Sequence, residues 1–298
     1  MVKSRRFRLV DAFLIVMMIL PLVFGIVLKI LTNPAAEEGV SISGALIYFT
    51  LNMPKWDLPI TEAQVNSWLV LITIFWFCLY LTHGLSPKAE TKRQHIAEYI
   101  VTKTDSLVRE NMGEYFKGFA PFIGAVIALS AFSSLTSLLG LFPPTSDLNI
   151  IAGWAILVFL LITYYKMKCG LGHYLKSFTE PIFFFTPFNI IGEVATPVSM
   201  TFRHYGNVVS GSVISALMAA GLEVLSSWIF GWLPGALGEF PFLRIGLPAV
   251  FSAYFDVFSG CLQAFIFAML TMLNVSGAFA LDDYIARKAK KNKKKKAI

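Results

Sequence analysis

Long apolar runs alternate with short polar, basic or Pro/Gly-rich breaks along most of this chain. The first run, Val10 to Leu31, follows the basic start Lys3, Arg5, Arg6 and Arg8. A secretory signal has an apolar core of about 7–15 residues and a small-residue cleavage site. This run is longer and no such site is clear, so a retained span is expected, with a cleaved signal as the alternative. Residues 32–66 read as a polar loop carrying Glu37, Glu38, Asp57 and Glu62 against Lys55. A second span is expected over Trp68 to Thr82. From Lys88 to Lys117, Ile96, Ile100, Leu107, Met112 and Phe116 recur at near-helical intervals among charges. That pattern predicts an amphipathic helix on a membrane surface.

Phe119 to Phe142 and Ile150 to Tyr165 predict two further spans, separated by the turn Pro143-Pro144-Thr145-Ser146-Asp147. The last third differs. Pro181, Pro187 and Pro197 predict a broken or kinked approach to the next helix. Val198 to Phe230 is then about 50 Å long at about 1.5 Å per residue. A hydrocarbon core is only about 30 Å thick. The final run, about Pro248 to Leu281, has the same excess. Joined by the Gly/Pro-rich stretch 231–246, these two form a tilted hairpin. The fold class expected is therefore an all-α integral membrane protein. It has about six membrane-embedded helices, the last two long and strongly tilted, plus the amphipathic surface helix.

Composition agrees. Of 298 residues, 56% are hydrophobic and 14% charged, against about 25% charged in soluble domains. The net charge of +7 does not point to nucleic acid, because eight of the 25 basic residues lie between Arg287 and Lys296. That tail suits a cytoplasmic anchor on anionic lipid. With six crossings and both termini inside, segments 1–9, 84–118, 166–180 and 282–298 hold 21 basic residues and the outer side only Lys29, Lys55 and Arg244. Residues 1–66 form an N-terminal span and outer loop, 67–281 a membrane domain, and 282–298 the tail. Cys78, Cys169 and Cys261 have no metal or disulfide spacing and read as small buried or inert thiols. His83, His95 and His173 form no ligand cluster. No nucleotide-binding or hydrolytic motif occurs, so neither a cofactor nor catalysis by this chain alone is expected.

Arg203 stands out in this background. It lies in the apolar stretch Phe183 to Leu222. A guanidinium stays protonated, and at bilayer depth it costs roughly 3 kcal/mol on insertion scales. Arg203, Asn207 and Ser210 fall at i, i+4 and i+7, on one helix face. Asp256 and Gln263, seven apart, share a face of the last helix. If the faces meet, a polar seam results and suggests an ion path; the plainer alternative is a structural Arg203–Asp256 ion pair. Glu193 reads equally as an ion-accessible carboxylate or a solvated residue near a helix start. Asp147 and Asn149 read as helix caps or as a vestibule at the outer mouth. Glu223 suits an interface position. His204, about 100° from Arg203 around the helix, is expected neutral and packed.

At these residues the sequence resembles subunit a of F-type ATP synthases. Pro197-Val198-Ser199-Met200-Thr201-Phe202-Arg203-His204-Tyr205-Gly206-Asn207 is similar to the family's Arg-bearing element. Leu262-Gln263-Ala264-Phe265-Ile266-Phe267, followed by Leu270-Thr271, is similar to its last-helix element. Pro144-Thr145-Ser146-Asp147-Leu148-Asn149 and Tyr165-Lys166-Met167-Lys168 fit in the same order. The resemblance covers roughly residues 65–280, leaving the N-terminal span and the tail outside it. It implies a stator subunit beside a rotating ring of c subunits, with peripheral-stalk b subunits and the rest of the synthase as partners, in a bacterial inner membrane. Arg203 would attract the ring carboxylate and block a leak between two half-channels. Asn207 and Gln263 would hydrogen-bond near Arg203 or line the path, Asp256 would serve the outer half-channel and Glu193 the inner. The sequence departs in three places. Ser212 stands nine residues after the Arg, where many members carry Glu. Asp256 stands where many of those carry His. His204 follows the Arg where Leu is usual. The Ser212/Asp256 combination looks like a carboxylate moved to the facing helix. Two competing readings are a stand-alone transporter or channel and a non-conducting assembly factor.

Overall fold

The computed structural model describes residues 2–32, 44–55, 57–86, 91–170, 172, 174, 178–179, 183–232, 234, 243, 246, 250–251, 253–281, 284–285 and 288. The side chains of residues 2–8 also fall outside the description, as does most of the tail 282–298 and of the connection 231–246. Among the described residues six helices are long and apolar enough to cross a membrane, matching the number expected.

Helix α1 (Val2–Thr32) runs antiparallel to α2 (Glu62–Thr82). Phe13 meets Trp76 edge-on at 6.0 Å near one end of the pair, and Gly25 lies against Leu69 nearer the other. Part of the expected polar loop between them is a two-stranded antiparallel hairpin, β1 (Ile47–Leu51) and β2 (Leu58–Thr61). Its last residue, Thr61, caps α2 by accepting from the Gln64 amide. The second span therefore begins at Glu62 rather than Trp68. Glu62, read from sequence as a loop acid, is 2% exposed. The difference comes from Lys29, whose ammonium lies 3.2 Å from the Glu62 carboxylate.

Helix α3 (Lys92–Met112) starts at the Thr91 cap and ends at Gly113, whose φ of 83° suits glycine. Its expected apolar face divides. Met112 and Phe116, with Val108, are buried in the core, whereas Ile96 and Ile100 stay exposed. This segment is thus half packed into the bundle instead of lying wholly on a surface. Helix α4 (Ala120–Leu135) is extended by 3-10 turns at both ends, giving the span Glu114–Leu139. After the turn Pro144–Ser146, α5 (Leu148–Lys168) returns, capped by Asp147, which accepts from the Asn149 amide at 2.9 Å.

Helix α6 (Thr186–Phe230) has 45 residues and is continuous through Pro197. It does not break at Pro187 or Pro197, Pro181 lies outside the described residues, and the helix, about 68 Å at 1.5 Å per residue, exceeds its expected length. Pro187 sits in the first turn, where its missing N–H is harmless. Pro197 withholds a proton from the Glu193 carbonyl, a loss that packed membrane helices tolerate. The final helix opens as a π-turn, Ala253–Ser259, and continues as α7 (Gly260–Gly277), ending before Leu281. Of the thiols, Cys169 is buried, but Cys78 and Cys261 are exposed on their helices.

Helix α7 packs against α3, α4, α5 and α6. Gln263, Ala264, Phe267, Ala268, Thr271, Met272 and Val275 form its buried stripe at helical spacing. Close approach to α4 depends on Gly260, where an added Cβ would sit 2.5 Å from Ser134 Cβ and 2.8 Å from its Oγ. Small residues of this kind let membrane helices touch backbone to backbone. Gly260→Val is expected to destabilise the membrane sector by about 1–3 kcal/mol. Gly153→Ala, which meets open space, should be near neutral. Thermal unfolding of the detergent-solubilised complex carrying each variant checks this.

Candidate functional site

The polar groups of the last two helices do not form a single seam. They divide into an outward-facing cation, an interhelical cleft at mid-helix and a cavity near the start of α6.

Arg203 is exposed on α6. No described carboxylate forms an ion pair with it, so the structural Arg203–Asp256 pair is not formed. Its neighbour His204 faces the opposite environment and is fully buried. The imidazole packs edge-on against Trp154 and Phe267, at 6.2 and 5.4 Å, with Nε2 3.4 Å from Ser130 Oγ. The 100° step per residue thus turns one side chain into the bundle and the other away from it.

Asn207 and Asp256 do come together. They line a cleft of about 20 Å³ with Ser134, Ser137, Pro143, Val208, Gly211, Phe255 and Gly260. That volume suits about one water. Gly211 lets α6 settle on Phe255, where a Cβ would meet the ring at 3.3 Å. Across this contact Asn207 Nδ2 donates to Ser259 Oγ at 3.0 Å, and the Ser259 hydroxyl is 3.2 Å from Asn207 Oδ1. Ser137, from α4's extension, shares the lining with Asp256, its hydroxyl donating to the Ser134 carbonyl at 2.7 Å. Asp256 lies inside the π-turn, so its seven-residue spacing from Gln263 no longer equals two α-turns. Gln263 is 4% exposed and lies outside the cleft lining. Ser212 also lies outside it and donates back to the Val209 carbonyl at 2.8 Å.

Glu193 sits two turns into α6, so the solvated-start reading does not hold. Its carboxylate accepts from Lys166 Nζ at 3.0 Å and Tyr174 Oη at 3.3 Å. It lines a cavity of about 460 Å³ with Lys166, Tyr174, Asn189, Thr196 and Gly277. Burial, followed by the Glu193 charge, pushes the Tyr174 phenol above its usual range. Asp147 is the cap of α5, and Asn149 supplies the capped amide.

Sequence reading missed Ser259 and the serines of α4. Ser130, Ser133, Ser134 and Ser137 recur at i, i+3, i+4 and i+7, and the first three are at most 5% exposed. That periodic stripe was a readable signal for a polar helix contact.

Fold and site together define a polytopic α-helical membrane protein with ionisable groups between its helices. The ATP synthase A chain family matches residues 64–276, and this chain belongs to that family. ATP synthase subunit a of Desulforamulus reducens is 30% identical over 72% of this chain and 78% of its own length. The sodium-ion-specific subunit a of Propionigenium modestum is 26% identical over 77% and 78%. Subunit a of Legionella pneumophila, strain Philadelphia 1, is 25% identical over 78% and 92%.

The Asn207–Ser259 contact yields a coupling prediction. Asn207→Ala and Ser259→Ala each remove one partner of the same bond. The double variant should lose about 0.5–1 kcal/mol less stability than the sum of the singles. Thermal unfolding of the assembled complex gives the cycle, and strict additivity would mean that the bond contributes nothing.

Proposed function

We propose that this chain is the stationary channel subunit of a rotary F-type ATP synthase. It offers a ring of c subunits two ion half-channels and couples proton or sodium movement to ATP synthesis. The observation that carries the reading is Arg203, a permanent cation exposed on an apolar helix without an ion-pair partner among the described residues. The surrounding face presents Val198, Phe202, Ile214 and Leu217, each more than 40% exposed. An apolar partner with a carboxylate at the same depth would cover both features. The Arg203 charge would keep that carboxylate ionised as it passes, and each charge crossing 100 mV supplies about 2.3 kcal/mol.

Asp256 and Asn207 serve the outer half-channel, and the cavity at Glu193 forms the inner one. Gln263 holds the middle of the path. With Ser212 in place of Glu, the cleft carboxylate comes from Asp256 on the facing helix. Asp147 and Asn149 flank the outer mouth. The chain lies in the plasma membrane with both termini cytoplasmic, contacts the peripheral-stalk b subunits and catalyses no bond chemistry alone. The family membership and the membrane helices support these assignments.

ATP-driven pumping in inverted vesicles, with and without sodium, tests the reading. Arg203→Ala at equal complex assembly should abolish pumping, and Asp256→Asn should lower it about tenfold or more. The isolated chain in liposomes should transport nothing. Undiminished pumping by Arg203→Ala would sink the coupling role, and uptake by the isolated chain would indicate a stand-alone transporter.

A further inference from the structure

Helix α1 lies outside the region shared with the family, yet ion pairs tie it to the bundle at both ends. At one end Asp11 Oδ1 accepts from Arg93 Nη1 at 2.7 Å, while Arg93 Nη2 donates to the His83 carbonyl at 2.6 Å. At the other, Lys29 pairs with Glu62 and also donates to the Gly140 carbonyl at 2.8 Å. Asp11 and Lys29 are 18 residues apart, about 27 Å along a helix, close to the roughly 30 Å of a hydrocarbon core.

The Lys29 end holds more than α1. Glu62 Oε1 accepts from the Phe142 amide at 3.3 Å, and Asn66 Nδ2 donates to the Phe142 carbonyl at 2.8 Å. Leu141, 3% exposed, packs on Gly25 of α1. The segment Gly140–Phe142 is thus gripped from both α1 and α2. The next residue, Pro143, lines the cleft that contains Asp256 and Asn207, as does Ser137.

We propose that α1 is a positioning element for the outer ion path, and that Lys29, acting through Glu62 and the Gly140 carbonyl, fixes the wall of the Asp256 cleft. The inference rests on the half-channel reading above. Lys29 touches no ion. It sets where the Gly140–Pro143 segment stands, and so the ease with which ions reach Asp256 from outside. Loss of this hold changes the outer-ion concentration needed for half-maximal synthesis more than the maximal rate.

The test uses the intact synthase in energised vesicles. ATP synthesis is measured against outer-ion concentration at fixed membrane potential. Lys29→Met keeps the apolar stem but removes the charge and the donor. It should raise the half-maximal outer-ion concentration about tenfold with the maximal rate changed less than about twofold. Lys29→Arg, which restores both, should return the value to within about twofold of wild type. An unchanged half-maximal concentration in Lys29→Met, or an equal fall in maximal rate for Met and Arg, overturns the proposal. If Lys29→Met does not assemble, Lys29→Gln, which keeps a donor without the charge, must show the same shift, and its absence overturns the proposal equally. Arg203→Ala run alongside keeps the two ideas apart. Synthesis that survives in Arg203→Ala refutes the channel reading, whereas its loss there with no shift at Lys29 refutes only the α1 role.

Discussion

A guanidinium that cannot lose its proton, set in an apolar helix, must be balanced by something outside its own helix. In this chain the balance does not come from within the described bundle. Asp256 lines the cleft with Ser137 and Asn207, and Glu193 is held by Lys166 and Tyr174. Arg203 is left on the outward face of α6. The rest of the architecture follows from holding α6 by one fully buried stripe while the face that carries Arg203 stays exposed. Met200, Thr201, His204, Gly211, Leu222 and Ser226 make that stripe.

Two features let that stripe hold a 45-residue helix. The His204 ring is locked among Trp154, Phe267 and Ser130, which fixes the rotation of the helix and therefore the direction of Arg203. Gly211 against Phe255, with the Asn207–Ser259 bond one turn away, fixes its height against the final helix. The histidine at position 204 thus has a packing consequence. Its flat, polar-edged ring reaches across to Ser130 of α4 and Trp154 of α5.

The six spans were legible because span length and apolarity are properties of the sequence itself. So were the positions of Arg203, Asn207 and Asp256, whose charge or polarity is conspicuous in apolar text. What depended on distant partners was not. Glu62 looked like a solvated loop acid until Lys29, one helix earlier, neutralised it. Pro197 looked like a break, but a helix surrounded by apolar material keeps its remaining backbone bonds because no water competes for them. The π-turn at Asp256 has no readable sign in the sequence, and it sets Asp256 in a cleft lining that Gln263 does not share. The separation of Arg203 from the cleft could not be read from periodicity alone, since it depends on which face of α6 the neighbouring helices choose.

If the Arg203 charge separates the outer cleft from the inner cavity, passive leak through the membrane sector reports that separation. Membrane vesicles carrying the synthase are stripped of the catalytic head, and ion flux down an imposed gradient is compared between wild type and Arg203→Ala at equal content. If the arginine is the barrier between two half-channels, the alanine variant leaks faster than wild type while coupled synthesis by the intact complex is lost. A variant whose leak equals wild type, with coupled synthesis retained, would contradict the claim and leave Arg203 as a packing residue of the membrane sector.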